Sequence, residues 1–296
     1  MKDVMLHTRA KAAIRLALDE DLSCAEENSG APWCDATSEA LVDPDAIAVG
    51  EIHAKGAGCV VSGTSVARAV MKEVDSATQV EIKIPDGEWA EPLVPILEFR
   101  GKARSILAAE RTALNFMQRM SATATLARRF VEATAQYGTL ILDTRKTTPG
   151  LRVFEKYAVL CGGGTNHRMG MYDRVLMKDN HRRLWKGGNP DALDEAVAAA
   201  RKAFPNLAVE VEVESLRECE SALKARPEWI MLDNMSIADM EKCVAMCKGI
   251  SKTEASGGIT LERAKEVAAT GVTAISLGCL THSAAAADLS LEWETV

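Results

Sequence analysis

Two hydrophobic periods alternate through the last two thirds of this chain. Short apolar runs at 139–143, 174–177, 207–213, 229–232, 249–255 and 272–277 are each closed by polar residues. Segments at 192–204, 216–225, 237–248 and 261–269 place apolar residues at helical spacing instead. Ser236 followed by Asp239 marks a helix start: a serine hydroxyl accepts an orphan backbone N–H, and an acid in the first turn suits the helix dipole. Strand then helix, repeated, predicts parallel strands joined by right-handed crossovers. Six or seven such units favour a closed or nearly closed α/β barrel over an open sheet.

The first third reads differently. Residues 6–21 predict an amphipathic helix, 47–53, 59–62, 80–84 and 96–102 predict strands, and 63–74 a helix among them. Without strict strand–helix alternation, this suggests a separate small α/β domain. A helical stretch at 105–136 joins it to the barrel, with Leu107, Leu114, Met117, Ala124 and Val131 at core spacing. The expected organisation is an N-terminal α/β domain over 1–112, joined by the tail 284–296, and a barrel over 113–283. Residues 23–34 read as a surface loop.

Composition narrows the function. Across 296 residues, 47% hydrophobic and 26% charged content allow a sizeable core, and a net charge of -7 argues against general nucleic-acid binding. The eight cysteines form no CxxC pair, which favours buried thiols in a reducing cytosol over zinc or disulfides. The N-terminal stretch lacks the apolar core of a signal peptide, and no segment reaches membrane-spanning length. A cytoplasmic protein without a membrane partner is expected.

Against the acidic background, Arg145, Lys146, Arg152, Lys156, His167 and Arg168 fall within 24 residues. Such a cluster predicts a site for a small polyanion, since guanidiniums clamp carboxylates or phosphates through paired hydrogen bonds. The other strand ends carry Lys178, Asp179 and Asn180; Glu212 and Glu214; Asp233 and Asn234; Ser256, Gly257 and Gly258; Ser276 and Gly278. Barrel enzymes assemble their sites from such C-terminal strand ends. Glu210, Glu212 and Glu214 alternate with valines, so a strand puts them on one face. With Asp233 they suggest an open Mg²⁺ site shared with a phosphate; neutralisation by nearby Arg and Lys is the alternative, for Glu210 above all. The two glycine motifs, after adjacent strands, suit a phosphate. Lys178 also stands where a barrel lyase would place a Schiff-base lysine.

The motifs are specific when read together. ERTALNF (110–116), DTRKTTPGLR (143–152), EKYAV (155–159), CGGGTNHR (161–168), KDNH (178–181), EVEVE (210–214), LDN (232–234), EASGGIT (254–260) and ISLGCLTHS (275–283) resemble the quinolinate phosphoribosyltransferase family. The resemblance runs from about residue 35 to the C-terminus. It implies a seven-stranded, incomplete α/β barrel with an N-terminal open-faced sandwich domain. It also implies the reaction of quinolinate with phosphoribosyl pyrophosphate to nicotinate mononucleotide, CO₂ and pyrophosphate, in NAD biosynthesis, with Mg²⁺ and a homodimer. By the same resemblance Arg145, His167, Arg168 and Lys178 would bind the pyridine dicarboxylate, beside Thr144. Lys146 would lie near the pyrophosphate. Glu212 and Asp233 would face the ribose and Mg²⁺, and Ser256, Gly257, Gly258, Ser276 and Gly278 would line the 5′-phosphate site. Arg111 would reach into the neighbouring subunit's site. A same-fold phosphoribosyltransferase of the molybdenum-locus type, a lyase using Lys178, and a non-catalytic binding protein are the rival readings.

Overall fold

The computed structural model describes residues 4–23, 33–189 and 192–294. The loop expected at 23–34 therefore lies, but for its ends, outside the described residues. In chain order the elements are α1 (Thr8–Leu22), α2 (Ala36–Leu41), β1 (Ile47–Ala54), β2 (Cys59–Val60), α3 (Thr64–Val74), β3 (Gln79–Ile82), β4 (Trp89–Ala90), β5 (Pro95–Lys102) and α4 (Ala103–Thr134). There follow β6 (Leu140–Leu142), α5 (Arg152–Cys161), β7 (Val175–Met177), α6 (Asp179–Leu184), α7 (Leu193–Ala203), β8 (Val209–Val213), α8 (Leu216–Lys224), β9 (Trp229–Asp233) and α9 (Ile237–Cys247). The last are β10 (Lys252–Ser256), α10 (Leu261–Ala269), β11 (Ala274–Ser276), α11 (Cys279–His282) and β12 (Leu289–Glu294).

The chain divides into two compact units. One comprises 1–128, 147–163 and 280–296, the other 129–146 and 164–279. The boundary expected at 112/113 lies inside the continuous helix α4. In the first unit an antiparallel sheet of order β12-β1-β5-β3 buries Ile52, Leu97 and Phe99 against α1, α3 and α4. Helix α1 packs through Ala10, Ile14, Leu18 and Leu22, one face at four-residue spacing.

The second unit is built on a parallel sheet of order β6-β11-β10-β9-β8-β7. Its register sets Glu212, Met231, Glu254 and Ala274 side by side, and Asp233 beside Ser256. Because strand side chains alternate, the opposite face carries Val209, Val211, Val213, Ile230, Leu232, Ala255 and Ile275, all buried. Helices α7 and α8 pack on β8, α9 on β10 and α10 on β11. Burial of that apolar face fixes register, since a one-residue slip would exchange valines for acids. Seven strands were expected, but six are hydrogen-bonded as strands among the described residues. The place beside β6 is held by Thr165 alone, through a single bridge to Leu142. The preceding glycines do not sustain an extended strand, and Asn166 and His167 bond elsewhere.

Candidate active site

A pocket of about 520 Å³ opens at the strand ends of the second unit. The end of β6 supplies its basic side. Asp143 is fully buried; it accepts the backbone N–H of His167 at 2.9 Å and the side-chain amide of Asn166. These bonds pin the 165–168 loop to β6 and bring His167 and Arg168 beside Arg145 and Lys146. The Thr144 hydroxyl accepts the Lys146 N–H at 2.9 Å, tightening the turn. Arg168 donates to the Arg174 carbonyl at 3.1 Å. Burial and the adjacent Arg145 make its charge costly and lower its pKa. An arriving anion relieves that cost.

Beneath the cations lies a second layer. Glu210 and Glu254 are both 0% exposed. The His167 Nε2 stands 3.2 Å from Glu210 Oε2 and 3.4 Å from Glu254 Oε2. Arg174 reaches the same Glu210 oxygen at 3.0 Å and stacks over Trp229. Burial opposes the Glu210 charge, but His167 and Arg174 outweigh it and hold Glu210 ionised, with a lowered pKa. Glu254 is pushed the other way by burial and by Glu210, with partial relief from His167 and Ser276. For His167, burial opposes the cation, while the two glutamates outweigh it and raise the pKa to about 9. The Arg168 N–H donates to His167 Nδ1 at 2.7 Å, however, and a proton on Nδ1 would collide with it. That contact decides the form: a neutral ring with its proton on Nε2, facing the carboxylates. The three groups come within 4.8 Å of one another, as metal ligands do, but the Arg174 guanidinium already supplies their cation.

The opposite wall is acidic. Glu212 Oε2 accepts Lys178 Nζ at 3.1 Å, and Oε1 accepts the Asp179 N–H at 3.3 Å. Ligand atoms of Glu212, Glu214 and Asp233 gather within 4.8 Å. The three-acid expectation on β8 is corrected here: Glu214 lies beyond the strand, Glu212 faces the pocket and Glu210 belongs to the layer below. The remaining corner is built from backbone. Gly257 and Gly258 have φ of 99° and 57°, the left-handed region, and α10 begins three residues later. Asn234 is also left-handed, at φ 54°, and its N–H donates to the Ser256 carbonyl at 3.0 Å. A β-carbon at Gly257 would run into the Asn234 side chain, so glycine is required there.

Thr144, Arg145, Lys146, His167, Arg168, Lys178, Glu212, Asp233, Ser256, Gly257, Gly258 and Ser276 line this one pocket. Gly278, half-buried after β11, and Arg111, exposed on α4 in the first unit, do not line it. Two cations of the basic cluster also fall outside. Lys156 is 1% exposed within α5, and the Arg152 Nε donates to the Thr147 hydroxyl at 3.0 Å. Both sit on a helical segment that belongs to the first unit. Sequence reasoning missed Leu176, Met231 and Glu254 as lining residues, and Arg174 beneath them; Asn234, read as a strand-end residue, does line the pocket. Glu254 was visible in principle: Lys252, Glu254 and Ser256 alternate on β10 as Glu210 and Glu212 do on β8.

The family profile described as quinolinate phosphoribosyl transferase, N-terminal domain, matches residues 35–121, and that of the C-terminal domain matches 123–292. The chain belongs to the quinolinate phosphoribosyltransferase family. A Nicotiana tabacum relative, quinolinate phosphoribosyltransferase [decarboxylating] 1b, is 39% identical over 96% of this chain and 82% of its own. The Mycobacterium leprae nicotinate-nucleotide pyrophosphorylase [carboxylating] is 37% identical over 96% of both. The solved nicotinate-nucleotide pyrophosphorylase of Francisella tularensis superposes with a TM-score of 0.86 at 36% identity, over 97% of this chain and 96% of that one. The quinolinate phosphoribosyltransferase likeness thus covers both units and every strand end of the pocket. Among the described residues no helix is long and apolar enough to cross a membrane.

Proposed function

We propose that this chain makes nicotinate mononucleotide from quinolinate and phosphoribosyl pyrophosphate, releasing CO₂ and pyrophosphate, in NAD biosynthesis. One observation carries the reading: a single pocket sets a basic wall, an acidic wall and a glycine-built corner against one another. Quinolinate has two carboxylates, and Arg145, Arg168 and Lys178, with the Thr144 hydroxyl, offer partners for both, while His167 lines the site behind them and orients Arg168. The corner at Ser256, Gly257 and Gly258, with Ser276 on the next strand end, takes the 5′-phosphate, and Gly278 stands just behind that strand end. Glu212 and Asp233 then face the ribose, whose carbon turns cationic as pyrophosphate departs, and Lys146 balances the pyrophosphate. Holding the ring nitrogen against that carbon is catalysis by orientation.

Mg²⁺ fits the same acids. Glu212, Glu214 and Asp233 are oxygen donors grouped within 4.8 Å on an open pocket, as suits a hard cation that keeps water and phosphate ligands. Bound there, it would supply positive charge to the departing pyrophosphate. Once the ring nitrogen carries ribose it is positive, and it can hold the electron pair that CO₂ leaves on the neighbouring carbon. The lyase reading is weaker, since a Schiff-base lysine needs a neutral amine. Lys178 is 47% exposed and ion-paired to Glu212.

On this reading the protein is a cytoplasmic homodimer in which Arg111 of each chain completes its neighbour's site. The free thiols of the described cysteines suit a reducing compartment. The Thr165 bridge stands in for the outermost strand of a seven-stranded, incomplete barrel. Incubation with quinolinate, phosphoribosyl pyrophosphate and Mg²⁺ is expected to yield nicotinate mononucleotide by mass spectrometry; no such product would overturn the reading.

A further inference from the structure

The layer beneath the cations contains one group that the reaction as set out leaves unused. Glu254 reaches the pocket floor from β10 while remaining 0% exposed. Neither of its oxygens has a partner in good hydrogen-bond geometry; His167 Nε2, at 3.4 Å, and the Ser276 hydroxyl are weak partners whose relief does not offset burial and the neighbouring Glu210. Its surroundings count against ionisation. Glu210 on β8 holds the Arg174 cation and the nearer contact of His167. Met231 on β9 and Ala274 on β11 flank it in register. His167 is neutral in this arrangement. An ionised Glu254 would be a second buried anion without a dedicated partner, directly under a site for a dicarboxylate. As a neutral acid it admits that substrate and carries a proton inward.

The reaction needs such a proton. When CO₂ leaves the ring carbon next to nitrogen, its place is taken by hydrogen. We propose that Glu254 is a further catalytic residue of this pocket, the acid that gives its proton to the ring carbon from which CO₂ departs. This rests on the quinolinate reading of the site. The carbon–carboxylate bond breaks and its electron pair stays on the ring carbon, beside the cationic nitrogen. CO₂ leaves over Leu176 and Met231, apolar lining residues that favour a neutral product over a carboxylate. The Glu254 O–H bond then breaks, the ring carbon takes the proton, and the resulting carboxylate regains a proton from solvent after product release. Lys178 is a poorer donor, because it is exposed and paired with Glu212.

The test separates the two halves of the reaction. Wild type, Glu254→Gln and Glu254→Asp are followed in single turnovers with quinolinate labelled in the carboxylate next to nitrogen. Pyrophosphate, CO₂ and nucleotides are measured together. In wild type, CO₂ should keep pace with pyrophosphate; absence of both in wild type would defeat the quinolinate reading itself. Glu254→Gln should still release pyrophosphate, but CO₂ should lag about a hundredfold, because the unprotonated ring carbon recaptures it. The ribosylated dicarboxylate should accumulate meanwhile, and Glu254→Asp should recover part of the rate. CO₂ keeping pace with pyrophosphate in a folded Glu254→Gln protein would overturn the proposal. So would an equal loss of both in Gln and Asp variants, which would make Glu254 structural.

Discussion

Asp143 faces no part of the open pocket, yet two of its bonds decide where the basic side chains stand. By tying the His167 amide and the Asn166 side chain to the end of β6, it converts a glycine-rich loop into a fixed platform. The next layer down is set by charge. Glu254 has a raised pKa, caused by burial and then by Glu210, so the folded state keeps a proton that the unfolded chain releases near the ordinary carboxylate range. Linkage gives the sign: with more protons bound in the folded state, this group's contribution to stability falls as pH rises above that range. Glu254→Gln has no such proton to lose. Its stability relative to wild type, measured by urea unfolding, should therefore improve between about pH 5 and about pH 8. Parallel curves would show that Glu254 ionises freely in the fold. Most pocket-lining residues were legible in sequence because they stand just after a strand, where polar residues are conspicuous. Arg174 was not, because it lies before a strand, and Glu254 showed only as one position of an alternating strand. Their meaning comes from a register between β8, β9 and β10 that no single segment reveals.

At the scale of elements, each predicted apolar run of the second unit became a strand within a few residues at its ends: 139–143 shortened to β6, 229–232 lengthened by one residue to β9, and 249–255 shifted to β10. Helix starts were similarly readable: Ser236 caps α9 by accepting the Asp239 N–H, as its spacing predicts. The form of the seventh strand position was not readable: among the described residues, three consecutive glycines leave a single bridge at Thr165 there. Nor was it readable that α5, with Lys156 and Arg152, belongs to the first unit and lines no part of the pocket. A charge run shows its content and not which compact unit each residue joins. The turn from β10 into α10 carries its own test. Gly257→Ala must place a β-carbon against Asn234 at a left-handed φ, at a cost of about 1–2 kcal/mol before any contact is counted. Relief by shifting the turn would misplace the N–H groups assigned to the 5′-phosphate. The expected result is a KM for phosphoribosyl pyrophosphate raised about tenfold or more, with the KM for quinolinate nearly unchanged. Equal changes in both would mean that the turn does not hold the phosphate.

For the whole molecule, Arg111 is exposed on α4 in the first unit, whereas the pocket is lined by residues of the second. If the dimer places it in the partner's site, Arg111→Ala and Lys146→Ala chains should each lose about a hundredfold or more in activity. Mixed and allowed to exchange, they should recover up to about a quarter of wild-type activity, since one site of each heterodimer then carries neither change. No recovery after verified exchange would assign Arg111 to its own chain. The central claim is the chemistry itself, and one time course tests it most directly. Purified protein is given Mg²⁺, phosphoribosyl pyrophosphate and quinolinate labelled in the carboxylate next to nitrogen. Pyrophosphate, labelled CO₂ and nicotinate mononucleotide should then appear in equal amounts, with nicotinate in place of quinolinate giving at least about a hundredfold less turnover because a buried cation is left unpaired. Equal turnover of nicotinate, or pyrophosphate release without CO₂, would contradict the account.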